Sequence, residues 1–191
     1  ARMGVPCIVT EPTDWLGGQL TTQAVPPDEN RWIEECGGTR SYQALREGVR
    51  RYYRKVRGHL TSEAAGTHAL NPGGGWVSRL CAEPRIWHDV LSGMLLNAGL
   101  STDAGAPCLV LHHHRPVSTE TDGDQVRAVA FRNELTGAST YITADLFLDA
   151  TELGDLLDLA RVEHAIGAEH RDAYGELHGR VDFEFARQAC D

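Results

Sequence analysis

A chain of 191 residues, 41% of them hydrophobic, can close a core of its own, which argues against wholesale disorder. Twenty-seven acidic against 18 basic side chains leave a net charge of -9, the wrong sign for coating nucleic acid or an anionic membrane. No apolar run approaches the roughly 20 residues that span a bilayer, and no signal peptide is visible.

Five cysteines (Cys7, Cys36, Cys81, Cys108, Cys190) are scattered, odd in number and without a CxxC pair. They read as free thiols in a reducing, cytoplasmic compartment rather than as a disulfide framework or a zinc site. Both ends of the chain, Ala1 running at once into a strand and Asp191 closing an apolar and charged stretch, read as cut.

In chain order, residues 5–10 (V-P-C-I-V-T) predict a short buried strand ending at Glu11, because Pro12 cannot donate to a sheet ladder. Residues 13–22 (T-D-W-L-G-G-Q-L-T-T) predict a glycine-centred turn, and residues 23–40 a polar loop. A helix follows, with Ser41 as N-cap, Gly58 as stop, and Tyr42, Leu45, Val49, Tyr52 or Tyr53, and Val56 on one face. Arg46, Arg50, Arg51, Arg54, Lys55 and Arg57 form its basic outer face, expected to be solvated or paired with Glu47 or a partner domain. The loop 70–76 (L-N-P-G-G-G-W) leads to a second helix that opens at Pro84 and ends near Asn97 and Gly99. Its apolar stripe is Ile86, Trp87, Val90, Leu91, Met94, Leu95 and Ala98.

Strands are expected at Leu109–His112, at Val126–Phe131 and at Thr140–Thr143, the last two as a hairpin across 133–138. A turn at 121–124 (T-D-G-D) separates the first from the second. Residues 146–150 (L-F-L-D-A) read as a strand of a parallel sheet covered on both faces, leading to a glycine turn and helix at 151–157 (T-E-L-G-D-L-L). The order is that of an α/β fold with an inserted β-meander.

Four features bear on chemistry. Glu11, an acid at the carboxyl end of a strand, suits ribose hydroxyls or is simply solvated. Gly17-Gly18 lets the backbone approach a phosphate or a flat ring, or is an ordinary turn. The segment 149–155 (D-A-T-E-L-G-D) puts backbone donors and a carboxylate at a strand's carboxyl edge, where open α/β sheets bind ligands. Its other reading is a strand-to-helix turn capped by Thr151 or Asp155. In His112-His113-His114 only the outer two share a side of a strand, so a metal site would lack a third ligand.

Taken together, residues 9–23 (V-T-E-P-T-D-W-L-G-G-Q-L-T-T-Q), 37–42 (G-G-T-R-S-Y), 75–85 (G-W-V-S-R-L-C-A-E-P-R), 94–100 (M-L-L-N-A-G-L) and 146–157 resemble the FAD-dependent oxidoreductase family with its glutathione-reductase-like flavin-binding fold. The resemblance implies FAD as cofactor and a small-molecule substrate. It places Glu11 at the adenosine ribose, and Gly17, Gly18, Gln19, Leu20 and Thr21 along the pyrophosphate and flavin. Val117 falls near the adenine, and Ala150, Thr151, Gly154 and Asp155 face the ribityl–pyrophosphate portion. Arg40, Tyr42, Arg79 and His88 lie in family-like segments and are candidates to face substrate.

The family's opening strand and G-x-G-x-x-G turn are absent from these 191 residues. The expected architecture is therefore an incomplete, mostly parallel Rossmann-like sheet. Residues 1–23 and 101–191 would form a partial FAD-binding domain, with residues 24–100 as an inserted helical, substrate-side lobe. No nucleic acid or membrane is expected as a partner. The alternative is a non-catalytic remnant or subunit that needs a complementing chain or a second copy. More distant is a nucleotide-binding module that uses Glu11 and Asp155 without redox work.

Overall fold

The computed structural model describes residues 1, 3–57, 60–100, 107–167, 170–175, 177, 179 and 181. The expected stop at Gly58 and Cys190 lie outside the described residues. By packing, the chain divides into two compact units. One comprises Ala1–Arg115 with Arg132–Ala138, the other Pro116–Phe131 with Ser139–Asp191.

In the first unit β1 (Cys7–Glu11) runs parallel to β2 (Cys108–His112), with Cys7 opposite Cys108 and Glu11 opposite His112. The strand expected at residues 5–10 is thus found from Cys7, though Ile8 is 47% exposed rather than buried. Between the strands come three helices: α1 (Arg40–Tyr52), prolonged by a π-helical turn at Tyr53–Arg57, α2 (Ser62–Gly66) and α3 (Pro84–Leu100). The cap of α1 is Thr39, whose extended backbone lets its hydroxyl accept from Tyr42 N at 3.2 Å. Ser41 already lies inside the first turn, where its backbone cannot take the cap conformation. The α3 helix opens at Pro84 as expected but runs on through Asn97 and Gly99 to Leu100.

Helices α1 and α3 supply most of the core: Leu45, Val49, Tyr53, Ile86 and Trp87, completed by Leu70 and Leu80. Of the expected apolar stripe of α1, Leu45, Val49 and Tyr53 are buried. Gly48 makes the helix contact possible, because a Cβ there would stand 2.7 Å from Val90 Cγ1.

The basic face of α1 departs from expectation. Arg46 and Arg50 are buried, at 1% and 3% exposure, because Glu29 and Glu34 of the preceding loop come down to neutralise them. Arg54 does pair with Glu47, at 3.3 Å.

The meander consists of β3 (His114–Asp122), β4 (Gln125–Asn133) and β5 (Ser139–Thr143), hydrogen-bonded in that order. Tight turns at Gly123 and at residues 134–138 make consecutive strands antiparallel. Ala128, Val129, Ala130 and Phe131 are buried in succession, so the middle strand is covered on both faces. The strand β3 was not expected; its residues are mostly exposed and carry no clean apolar alternation.

The parallel strand expected at 146–150 does not form. Leu146 and Leu148 are 84% and 90% exposed, and no strand pairs with them among the described residues. An apolar run becomes a strand only when a neighbour takes up its backbone groups. Among the described residues the parallel part of the fold is therefore a single pair, and the fold is a mixed α/β one rather than a mostly parallel sheet. After this run come the short helices α4 (Asp155–Leu159) and α5 (Arg171–Tyr174). No described helix is long and apolar enough to cross a membrane.

Candidate functional site

Glu11 ends β1, and its carboxylate is folded back onto the following loop. Oε1 accepts from Thr13 N at 2.9 Å and stands 2.6 Å from Thr13 Oγ1. No described residue donates to Oε2. His112, opposite Glu11, has Nδ1 3.2 Å from Thr13 O, and His113 pairs with Asp14 at 2.8 Å. The acid at the strand's carboxyl end is thus held by two local donors with one acceptor oxygen left over.

The glycine turn is a short 3-10 helix, Gly18–Leu20. Gly17 takes φ 118°, which side-chain-bearing residues rarely adopt, and a Cβ there would meet Leu91 Cδ1 and Thr21 Cγ2, each at 2.7 Å. Leu20 N and Thr21 N donate to Gly17 O and Gly18 O, each at 3.1 Å. The Gln19 amide donates to Pro26 O and Asp28 Oδ2, each at 3.2 Å. Thr21 is almost fully buried.

This loop rests on α3. Besides the Gly17–Leu91 contact, Trp15 stacks on His88 with ring centroids 5.7 Å apart. His88 Nδ1 is buried with no hydrogen-bond partner. Sequence reasoning singled out His88 but missed Thr13 and Trp15, because only the fold brings an i+2 hydroxyl onto Glu11 and an indole onto α3. Of the other substrate candidates, Tyr42 is engaged, its hydroxyl donating to Glu29 Oε1 at 2.6 Å. Burial and that carboxylate push its pKa well above the usual phenol range. Arg40 and Arg79 are exposed.

The remaining candidates belong to the second unit. Val117 lies on β3 and is 42% exposed. Ala150 and Thr151 are exposed, and Gly154 caps α4 in a left-handed conformation ahead of Asp155. Asp149 organises this turn, accepting from Thr151 N at 2.8 Å and Leu156 N at 2.9 Å, while Thr151 Oγ1 accepts from Asp155 N at 2.7 Å. Burial pushes the Asp149 carboxyl up, but the donors from Thr151, Leu156 and Leu157 outweigh it and leave it below the usual carboxylate range. A separate cavity of about 400 Å³ lined by Gln125–Arg127 and Ala144–Phe147 includes none of the candidate residues.

By its elements this is a mixed α/β protein with an acid-tipped parallel pair and a glycine turn behind it. A family model described as FAD dependent oxidoreductase matches residues 1–189, and the chain belongs to that family. It is a flavoprotein oxidoreductase, and its cofactor is FAD. No curated protein and no solved structure matches the chain. A carboxylate at a parallel strand's carboxyl end, as Glu11 is, can accept hydrogen bonds from ribose hydroxyls.

Proposed function

We propose that this chain binds FAD through Glu11, the turn Gly17–Thr21, Val117 and the turn Ala150–Asp155, in an oxidoreductase acting on a small-molecule substrate. The observation that carries the reading is Glu11 at the carboxyl end of β1, followed by a left-handed glycine turn packed on α3. Glu11 accepts the ribose hydroxyls with the oxygen that Thr13 leaves available. Gly17 and Gly18, Gln19, Leu20 and Thr21 present close-lying backbone to the pyrophosphate and flavin side. Val117 lies near the adenine. Ala150, Thr151, Gly154 and Asp155 offer backbone donors and a carboxylate to the ribityl–pyrophosphate portion. The bound flavin supplies the redox chemistry, the substrate giving up a hydride to it, while the protein orients both.

Titrating the purified chain with FAD and following flavin absorbance and fluorescence tests the reading. Saturable binding with a shifted spectrum is expected. A folded chain that leaves the flavin spectrum unchanged would overturn a self-sufficient site.

One observation favours a second reading, in which another chain completes the sheet. Leu146 and Leu148 are 84% and 90% exposed along a run with the composition of a buried strand. On that reading, FAD binding appears only when the complementing chain is supplied.

A further inference from the structure

Cys7 and Cys108 open the two strands of the parallel pair and stand opposite each other in its register. Neighbouring strands lie roughly 4.8 Å apart, inside the Cα separation of about 4.4–6.8 Å that a disulfide spans. Opposed residues direct their side chains to the same side of the pair. Both are half-buried free thiols. Cys81, by contrast, is packed in the core against Gly73 and Gly75, and Cys36 is exposed on a loop.

We propose that Cys7 and Cys108 are a redox modification site, forming a reversible disulfide across the amino ends of β1 and β2, at the opposite end of the pair from Glu11. A small-molecule disulfide such as oxidised glutathione is the oxidant. One protein thiolate attacks it and releases the first glutathione thiol. The second protein thiolate then displaces glutathione from the mixed disulfide, so two protein thiols are oxidised as one small disulfide becomes two thiols. Reversibility is that of the exchange itself, since a small dithiol runs the two displacements backwards. Closure also ties together two points roughly a hundred residues apart, which restricts the unfolded chain.

The test exposes the full chain to oxidised glutathione, alkylates the remaining thiols and maps the peptides. The expected product links the Cys7 peptide to the Cys108 peptide and is reversed by dithiothreitol. It also raises Tm by on the order of 10 °C. Cys36→Ser gives the same link, whereas Cys7→Ser and Cys108→Ser lose both the link and the rise in Tm. The proposal is overturned if Cys7 and Cys108 of the folded wild-type chain are both alkylated after oxidation. It is overturned equally if either ends bound to glutathione, Cys36 or Cys190.

Discussion

Arg46 Nε lies 2.7 Å from Glu29 Oε1, and both side chains are only 2% exposed. The same guanidinium reaches Glu34 at 2.5 Å, and Glu34 in turn takes Arg50 at 2.6 Å. Arg50 also donates to Leu70 O at 3.0 Å, and Ser78 Oγ stands 3.4 Å from Glu29 Oε2. Through these bonds α1 and the loop before it hold the loop that follows α2. Burying such charges costs desolvation that their attraction only partly offsets, so the network's clearest consequence is that those two loops have one arrangement.

Removing one member should therefore be expensive. Arg46→Ala leaves Glu29 buried beside no guanidinium, and a loss of about 3–5 kcal/mol is expected in urea denaturation. Arg51, on the same helix and exposed, supplies the control: Arg51→Ala should stay within about 0.5 kcal/mol. Equal effects of the two substitutions would show that the buried network contributes nothing special.

Glu34 sets the acid limit. Burial pushes its carboxyl up, but hydrogen bonds and charge from Arg50 and Arg46 outweigh burial and hold the pKa at about 2. A folded pKa below the unfolded value means that the carboxylate stabilises the fold above the unfolded pKa of about 4.3. That contribution is lost as pH falls from there through about 2. Stability measured between pH 5 and pH 2 should fall, and Glu34→Gln should flatten this slope while lowering stability at pH 7. A variant with the wild-type slope would assign acid sensitivity elsewhere.

What could be read in the sequence followed from period and spacing. Leu45, Val49 and Tyr53 recur at helical intervals, so their burial was legible before any contact was known. The burial of Arg46 and Arg50 was not, because their partners sit 12 to 17 residues upstream in a loop with no periodicity. Residues 146–150 misled in the opposite direction: their composition is that of a buried strand, but pairing depends on a neighbour that composition does not reveal. At the candidate site, Glu11 and Gly17-Gly18 stood out as residue types at a strand end. Thr13 and Trp15, which fasten that loop to Glu11 and α3, emerge only in three dimensions.

Gly17→Ala tests the turn. The new methyl would meet both Leu91 and Thr21 at 2.7 Å, at a φ of 118° that alanine resists. Backbone strain of this kind costs about 1–3 kcal/mol, before any repacking of α3. A lower urea midpoint and weakened FAD binding are expected together. Stability unchanged from wild type would mean that the loop relaxes away from α3 at no cost.

Glu11→Ala separates ligand binding from folding. Among the described residues its carboxylate bonds only to nearby Thr13, so its removal should alter stability little. A hydrogen bond from ribose to a charged acceptor contributes about 1.5–3 kcal/mol, so the Kd for FAD should rise roughly tenfold to a hundredfold. Asp14→Ala is the companion control, since Asp14 lies three residues on but pairs with His113 instead. If Glu11→Ala and Asp14→Ala weaken FAD equally, the effect belongs to the loop's shape. If Glu11→Ala alone does so while the urea midpoint holds, the carboxylate itself meets the cofactor.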